Sequence, residues 1–186
     1  MARWFLYVFF YSLAGCALEK LYARATHSSR QIRKCFLLLP LCPVYGLAMA
    51  TVLAVAGPAD GFLRLALVGG LICTGVEYLV HLFYEAVFGV CFWDYSLLRG
   101  HVQGRICPRF ALIWGVLSAI AVRWVHPAVA AIAEQIPPEL VFLLWVVLAA
   151  DCVLTAEVLL HSRDTQQLTL RAVLAQTRAS SQSEMS

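Results

Sequence analysis

The residues best suited to chemistry lie between Glu77 and Arg105. Glu77, His81 and Glu85 recur every four positions in an apolar stretch, so on an α-helix they form one slowly drifting polar stripe. Carboxylates inside a membrane segment are costly, and they normally face a bundle interior, a watery cavity or a partner charge. We therefore expect this stripe to mark the functional site.

Two kinds of site are compatible with these side chains. In a charge network, Arg105 pairs with Asp94 or Glu85 and locks the following loop against the helix, because buried charges need partners. In a transport site, Glu77 and Glu85 bind a cation or a protonatable substrate, and His81 between them adjusts the protonation.

A metal site is the third alternative, with ligands from Glu77, His81 and Glu85 and a shell completed by Asp94 or Glu157. Positions i and i+8 of a straight helix are ~12 Å apart, so no more than two of the three helix residues can reach one ion. We therefore do not expect a metal site, and the sequence points to no particular cofactor.

The composition indicates an integral membrane protein. Of the 186 residues, 61% are hydrophobic and 13% are charged, and the mean hydropathy is +0.77, which is far more apolar than an ordinary soluble domain. The net charge of +3 is small and dispersed, so we do not expect nucleic-acid binding.

The cysteines do not predict a disulfide framework or a zinc knuckle. There are seven of them, an odd number without a CxxC pair, spread through apolar segments. We expect most of them to be small core residues. They are Cys16, Cys35, Cys42, Cys73, Cys91, Cys107 and Cys152.

The apolar runs predict an all-α, polytopic transmembrane bundle of about five helices. The predicted segments are 4–21, 35–56, 62–89, 110–125 and 139–160. Pro40 and Pro43 break the second segment, which becomes helical after Gly46. Residues 41–46 either line a cavity or form a proline-kinked helix entrance without a ligand. Pro127 ends the fourth helix. In the fifth helix we expect Asp151 to pair with another helix.

The positive charges predict the orientation. Arg and Lys cluster after the first and third helices and in the tail, which places the N-terminus outside and the C-terminus in the cytoplasm, in a bacterial cell membrane. The transmembrane domain is then 1–161, and 162–186 is a polar cytoplasmic tail, partly disordered. Arg64 is expected to snorkel to the membrane interface.

The first helix offers one alternative. Leu13-Ala14-Gly15-Cys16 matches a bacterial lipobox, in which Cys16 would be lipidated after cleavage. The sequence after Cys16 is more membrane segment and not a polar tether, so we expect a spanning helix.

Several motifs occur in the order and spacing of one protein family. They are Tyr11-Ser12-x2-Gly15-x3-Glu19, Pro40-x-Cys42-Pro43-Val44-Tyr45-Gly46, Glu77-Tyr78, Glu85-x2-Phe88-Gly89, Trp93-Asp94-Tyr95-Ser96, Gly104-Arg105-Ile106-Cys107 and His126-Pro127. On these motifs the chain resembles the putative ABC-transporter type IV, or CmpB-like, family of small membrane proteins. It departs from that family at Cys35 and Leu39, where glycine is usual, and at His101, where asparagine is usual.

The resemblance implies a small transport-type, permease-like membrane subunit. The chain has no GxxxxGK[ST] phosphate loop, so the ATPase would be a separate subunit that docks on the loop at 90–110. Five helices are few for a complete pathway, so we expect a homo-oligomer in contact with membrane lipid. The alternatives are an intramembrane enzyme acting on a lipid or membrane-bound substrate, and a non-catalytic assembly or regulatory protein.

The expected site is a cytoplasm-facing polar cavity. Its candidate residues are Glu19, Tyr45, Glu77, His81, Glu85, Trp93, Asp94, Tyr95, His101 and Arg105.

Overall fold

The computed structural model describes residues 2–26 and 35–168, and in this part of the chain it is an all-helical bundle without a β-sheet. The helices are α1 (Ala2–Ala25), α2 (Pro43–Val55), α3 (Phe62–Phe88), α4 (Pro108–Ile120), α5 (His126–Gln135) and α6 (Pro138–Ser162). Four spans are long and apolar enough to cross a membrane, namely α1, α3, the continuous α4–α5 and α6, whereas α2 is shorter. The predicted all-α membrane bundle is therefore confirmed.

The sequence predicted that Pro127 ends the fourth helix, and this prediction was wrong. A π-helical turn, Ala121–Val125, joins α4 to α5, and Pro127 lies in the first turn of α5. Pro127 has no N–H to donate to the preceding turn of a continuous helix, so the regular α-helical hydrogen-bond pattern is interrupted there. The wider π turn absorbs the discontinuity, so the helix continues from Pro108 to Gln135.

α3 and α4 form the most extensive helix–helix contact among the described residues. Gly69 faces Ser118, and Gly115 lies against the backbone of Ala66. A side chain at either glycine would overlap these neighbours, so the small residues are what allow the two helices to approach so closely. At its other end, α3 stops at Gly89, whose φ of 67° is left-handed.

The segment before α2 is bent, as its prolines predicted, but α2 is helical from Pro43 and not only after Gly46. Pro43 occupies the first helical turn, where a proline fits well. The bent backbone is satisfied by Asp151 of α6, whose carboxylate accepts the N–H groups of Leu38 and Leu39 at 3.1 and 2.9 Å. The expectation that Asp151 pairs with another helix was therefore wrong.

A disulfide between Cys35 and Cys42 closes the bent segment, with the two Cα atoms 5.1 Å apart. The sequence analysis expected no disulfide framework and did not foresee this pair. Because Pro40 reverses the chain between them, residues seven positions apart meet, which cysteine counting cannot foresee. Cys16 is buried within the unbroken α1, as a spanning helix predicts.

Charged residues gather at the two ends of the bundle. At one end, Arg3 contacts Glu134 at 3.4 Å, Arg64 pairs with Asp60, and Arg123 donates to the carbonyl of Pro58 at 2.7 Å. The other end carries the loop from 89 to 107 and the end of α6. The expectations for the basic loop and the polar tail fall largely on 27–34 and 169–186, which lie outside the described residues.

Candidate functional site

A cavity of about 330 Å³ lies among α1, α2, α3, α4 and the bent segment. Its wall is mostly apolar and aromatic, and it contains two carboxylates. Five of the ten candidate residues belong to the wall, namely Glu19, Tyr45, Glu77, Trp93 and Tyr95. The other five, His81, Glu85, Asp94, His101 and Arg105, are absent from the wall and lie on or next to the loop that covers one end of α3.

Glu77 is the buried carboxylate of the wall, with 7% of its surface exposed. The Tyr95 hydroxyl donates to its Oε1 at 2.8 Å, and Trp114 Nε1–H donates to its Oε2 at 3.2 Å. Both oxygens therefore accept a hydrogen bond, which fixes the orientation of the carboxylate and compensates part of its burial. Trp114 was not predicted, because its position in α4 carries no polar pattern.

Glu19 and Tyr45 form a second polar pair in the wall. The Tyr45 hydroxyl donates to Glu19 Oε1 at 2.6 Å. Gly15 permits this arrangement, since a Cβ there would overlap the Tyr45 ring. The glycine in the Gly15-x3-Glu19 motif thus lets a residue of α2 reach a carboxylate one turn further along α1.

His81 is buried next to the wall and bonds to the loop. Its Nε2 lies 3.1 Å from the carbonyl oxygen of Trp93, so Nε2 carries the proton and donates. Its Nδ1 is 3.9 Å from Glu85 Oε2, too far for a hydrogen bond. Glu77, His81 and Glu85 do follow one another along α3, but each of them contacts a different partner.

Arg105 fastens the loop to α3. Its Nη2 and Nε contact Glu85 Oε2 at 2.6 and 3.2 Å, and its guanidinium lies 5.5 Å from the centre of the Tyr78 ring. The hydrogen bond to Glu85 raises the pKa of Arg105. Of the two predicted partners, Glu85 is the one that Arg105 uses and Asp94 is not.

Asp94 instead organises the turn that follows it. Its Oδ1 accepts the Ser96 N–H at 2.8 Å, and its Oδ2 accepts the Ser96 hydroxyl at 2.9 Å. These donors favour the charged form and lower the pKa of Asp94. Gly104, with φ of 72°, lies so close that a Cβ would be 2.7 Å from Asp94 Oδ1.

His101 accepts the Gly104 N–H through Nδ1 at 3.0 Å. An asparagine side-chain oxygen can accept the same kind of bond, so the imidazole keeps the hydrogen-bonding role of an amide. The same loop is closed by Trp93, whose Nε1–H donates to the Arg105 carbonyl at 2.9 Å.

Tyr11 is a further wall residue that the sequence did not single out as a site. It is 5% exposed, and its hydroxyl has no hydrogen-bond partner among the described residues. Its ring stacks 6.3 Å from that of His126, at the π turn. In the sequence, Tyr11 was noted only as part of the Tyr11-Ser12 motif. Residue spacing alone does not show that it lies in the wall of a cavity.

No group of three His, Cys, Asp or Glu side chains that could hold a metal ion is found in 2–26 and 35–168. Glu85 faces Arg105, while Glu77 faces Tyr95 and Trp114. The two carboxylates of the stripe therefore do not converge on one point, and a single cation cannot bind to both.

The four apolar spans define a polytopic α-helical membrane protein. The chain belongs to the family described as putative ABC-transporter type IV, whose family model matches residues 6–156. Searches of curated proteins and of solved structures found no match.

Proposed function

We propose that the chain is the membrane subunit of a bacterial transporter, that its cavity receives the substrate, and that a separate ATPase energises it. The observation that carries the proposal is the cavity itself, with buried Glu77 in its wall, in a chain of this family. A buried carboxylate in a membrane segment is a functional-site candidate because retaining it there is costly.

We further propose that the loop from 89 to 107 faces the cytoplasm. Arg99, Arg105 and the nearby Arg109 support this orientation by the positive-inside rule. The Cys35–Cys42 disulfide argues against it, since the segment lies towards the same end and disulfides persist mainly in oxidising compartments. Labelling of Cys91, described in the Discussion, decides between the two sides.

The loop from 89 to 107 is suited to dock a partner subunit. It is held rigidly to α3 by Arg105 and His81, and it presents Leu97 with 97% of its surface exposed. Its full exposure makes Leu97 our candidate contact for the ATPase on this loop.

Purification of the tagged protein from its native membrane in mild detergent tests the proposal. We expect mass spectrometry to detect an ATPase in stoichiometric amount, and Leu97→Ser to remove it. Leu71→Ser is the matched control, because Leu71 is 79% exposed within span α3, away from the loop.

If no ATPase copurifies with the wild-type chain, the subunit hypothesis is wrong. If the ATPase remains bound to the Leu97→Ser variant and is lost from the control, the docking surface has been assigned to the wrong place. An enzyme is less well supported, since His81 and Asp94 bond to the loop backbone and to Ser96 instead of lining the cavity.

A further inference from the structure

The disulfide between Cys35 and Cys42 lies in the wall of the cavity, which both residues border. Cys35 is partly exposed, whereas only 5% of the surface of Cys42 is exposed. Thiol–disulfide exchange begins with attack on the sulfur that the incoming thiolate can reach. Cys35 is therefore the sulfur that is attacked, and Cys42 is the sulfur that leaves.

The position of Cys42 favours its departure. Cys42 is the N-cap residue of α2, and its side chain makes no capping hydrogen bond there. The N–H groups at a helix N-terminus stabilise a thiolate, because they carry partial positive charge. A stabilised leaving thiolate speeds the exchange, so the fold places the pair where a thiol can reduce it.

The bent segment stays anchored on both sides when the disulfide is broken. Asp151 of α6 holds the N–H groups of Leu38 and Leu39, and the Cys42 N–H donates to the carbonyl of Ser12 at 2.9 Å. Neither anchor involves a sulfur atom. The two thiols therefore remain close together after reduction, and the same pair forms again on oxidation.

Phe36, next to Cys35, closes one side of the cavity. Its ring stacks on Tyr84 with the ring centres 5.1 Å apart, and it lies 6.3 Å from the Phe92 ring. Both of these rings also border the cavity. The disulfide ties Cys35 to the start of α2 and so keeps Phe36 in the wall. Reduction removes this tie, and the Phe36 ring is then freer to leave the wall.

The contact with Phe92 places the disulfide at the end of the bundle that carries the loop from 89 to 107. That loop faces the cytoplasm in the orientation proposed above. Disulfides in the cytosol are usually transient, and they serve catalysis or redox sensing. A reversible pair therefore removes the conflict between the disulfide and the positive-inside rule.

We propose that Cys35 and Cys42 form a reversible thiol–disulfide site that exchanges with a low-molecular-weight thiol, and that its disulfide form keeps the cavity closed by Phe36. The proposal adds a control to the transport function and rests on the orientation proposed for it. The site couples the redox state of the cytosol to access to the cavity.

The exchange takes two steps with a thiol such as glutathione. A glutathione thiolate attacks Cys35 Sγ, the bond to Cys42 breaks, and Cys42 Sγ leaves with the electron pair and takes a proton. A second glutathione thiolate attacks the glutathione sulfur of the mixed disulfide, and Cys35 leaves and is protonated. The protein pair gains two electrons and two protons, and two glutathione molecules become one oxidised glutathione.

Equilibration of the purified full chain with glutathione in detergent tests the exchange. Thiols are alkylated after denaturation, and the mass of the intact chain counts them. Five alkylated thiols mean an oxidised pair and seven a reduced pair, since five of the seven cysteines are free. We expect five in an excess of oxidised glutathione, seven in a large excess of reduced glutathione, and five again on return.

Five alkylated thiols at every glutathione ratio would make the disulfide a permanent structural bond and would overturn the proposal. Peptide mapping must assign the two additional thiols to Cys35 and Cys42, and any other assignment would also overturn it. Cys91→Ser is the control, because Cys91 is an exposed free cysteine outside the pair. This variant should pass through the transition at the same glutathione ratio.

Cys73, which borders the cavity, reports whether the disulfide keeps the cavity closed. Its rate of reaction with N-ethylmaleimide is measured by peptide mass spectrometry, relative to the rate of the exposed Cys91. We expect this relative rate to rise several-fold from the wild type to the double variant Cys35→Ser/Cys42→Ser. An unchanged relative rate in the folded double variant would show that the disulfide does not control the cavity.

Phe36→Ala tests the same closure with the disulfide in place, so it decides the matter even if the double variant does not fold. It removes the ring that lies between the disulfide and Tyr84 and should also raise the relative rate of Cys73. An unchanged rate would show that Phe36 does not close the cavity.

The outcomes separate this inference from the proposed function. An ATPase that copurifies with a chain whose disulfide resists glutathione supports the transporter subunit and refutes the redox site. A disulfide that follows the glutathione ratio in a chain without an ATPase supports the redox site and refutes the subunit.

Discussion

Asp94 fixes the conformation of the loop with one carboxylate. Both of its oxygens accept hydrogen bonds from Ser96, and the neighbouring Tyr95 N–H donates to the Gly104 carbonyl at 2.7 Å. The Tyr95 hydroxyl in turn donates a hydrogen bond to Glu77. The charge on Asp94 is therefore coupled to the geometry of the cavity wall.

Asp94→Asn should abolish one component of acid destabilisation. The pKa of Asp94 is lowered in the folded protein by the donors on Ser96, so its contribution to stability is present above the unfolded value of about 3.9 and is lost as pH falls through the folded pKa. We expect the thermal unfolding temperature in detergent to fall less steeply between about pH 5 and pH 2 in Asp94→Asn than in the wild type.

The comparison is between the two proteins, because Glu85 and other carboxylates titrate in both. Ser96→Ala, which removes only the hydroxyl donor, should give an intermediate pH dependence. Parallel stability curves for wild type and Asp94→Asn would show that the Asp94 charge does not stabilise the loop.

The sequence was enough to single out Glu77 and His81 as candidate residues, but not to identify their partners. Glu77 and His81 stood out because polar side chains are costly in an apolar helix, and both are buried. Trp114 and Tyr11 escaped notice because aromatic residues are common in membrane helices. Only the packing of α1 and α4 around α3 brings them to the cavity.

At the scale of elements, the α3–α4 contact depends on three small residues. The hydroxyl of Ser118 donates to the Gly115 carbonyl at 2.9 Å, and Gly69 lies against that serine. Gly115 tolerates an added side chain least of the three positions, because a Cβ there would meet the carbonyl oxygen of Ala66. A backbone atom cannot move aside as a side chain can.

Gly115→Ala should destabilise the protein by about 1–3 kcal/mol through overpacking. The measurement is thermal or denaturant-induced unfolding of the purified protein in one detergent. Gly75→Ala is the matched control on α3, since a Cβ there meets nothing within 4 Å, and it should change stability by no more than about 1 kcal/mol. Equal losses in the two variants would mean that helix contact at Gly115 is not what limits substitution.

The sequence predicted that the segment before α2 is bent, but not which residue covers its backbone. Pro40 and Pro43 exclude a regular helix, and non-helical backbone at membrane depth must be covered by protein or water. The cover is Asp151, whose carboxylate binds two consecutive N–H groups from more than 100 positions away in sequence. Such a pairing depends on how α6 docks, so the local sequence could not identify it.

At the scale of the whole molecule, Cys91 reports the orientation. It is the exposed free cysteine among the described residues, while Cys16 and Cys107 are buried and Cys73 and Cys152 are partly buried. Burial raises the pKa of the Cys91 thiol, so labelling should be slower than for a fully exposed thiol and needs a longer reaction time.

A membrane-impermeant maleimide should label Cys91 in inverted vesicles and not in intact cells, if the loop is cytoplasmic. Cys91→Ser gives the background from the other cysteines. Labelling in intact cells would place the loop outside, would agree with the Cys35–Cys42 disulfide, and would reverse the proposed orientation.

The sequence by itself determined the membrane location, the all-α class, the start and end of α3, the broken segment before α2 and the family. The first four properties follow from composition, apolar run length and proline position, all of which are local in the chain, whereas the family was indicated by the resemblance of several motifs. The tertiary structure decided which polar residues share a cavity, that Arg105 uses Glu85, that Asp151 serves a backbone, that Cys35 meets Cys42 and that α4 continues past Pro127. Each of these depends on distances between segments remote in sequence or on a helix geometry that packing stabilises, and neither spacing nor composition contains that information.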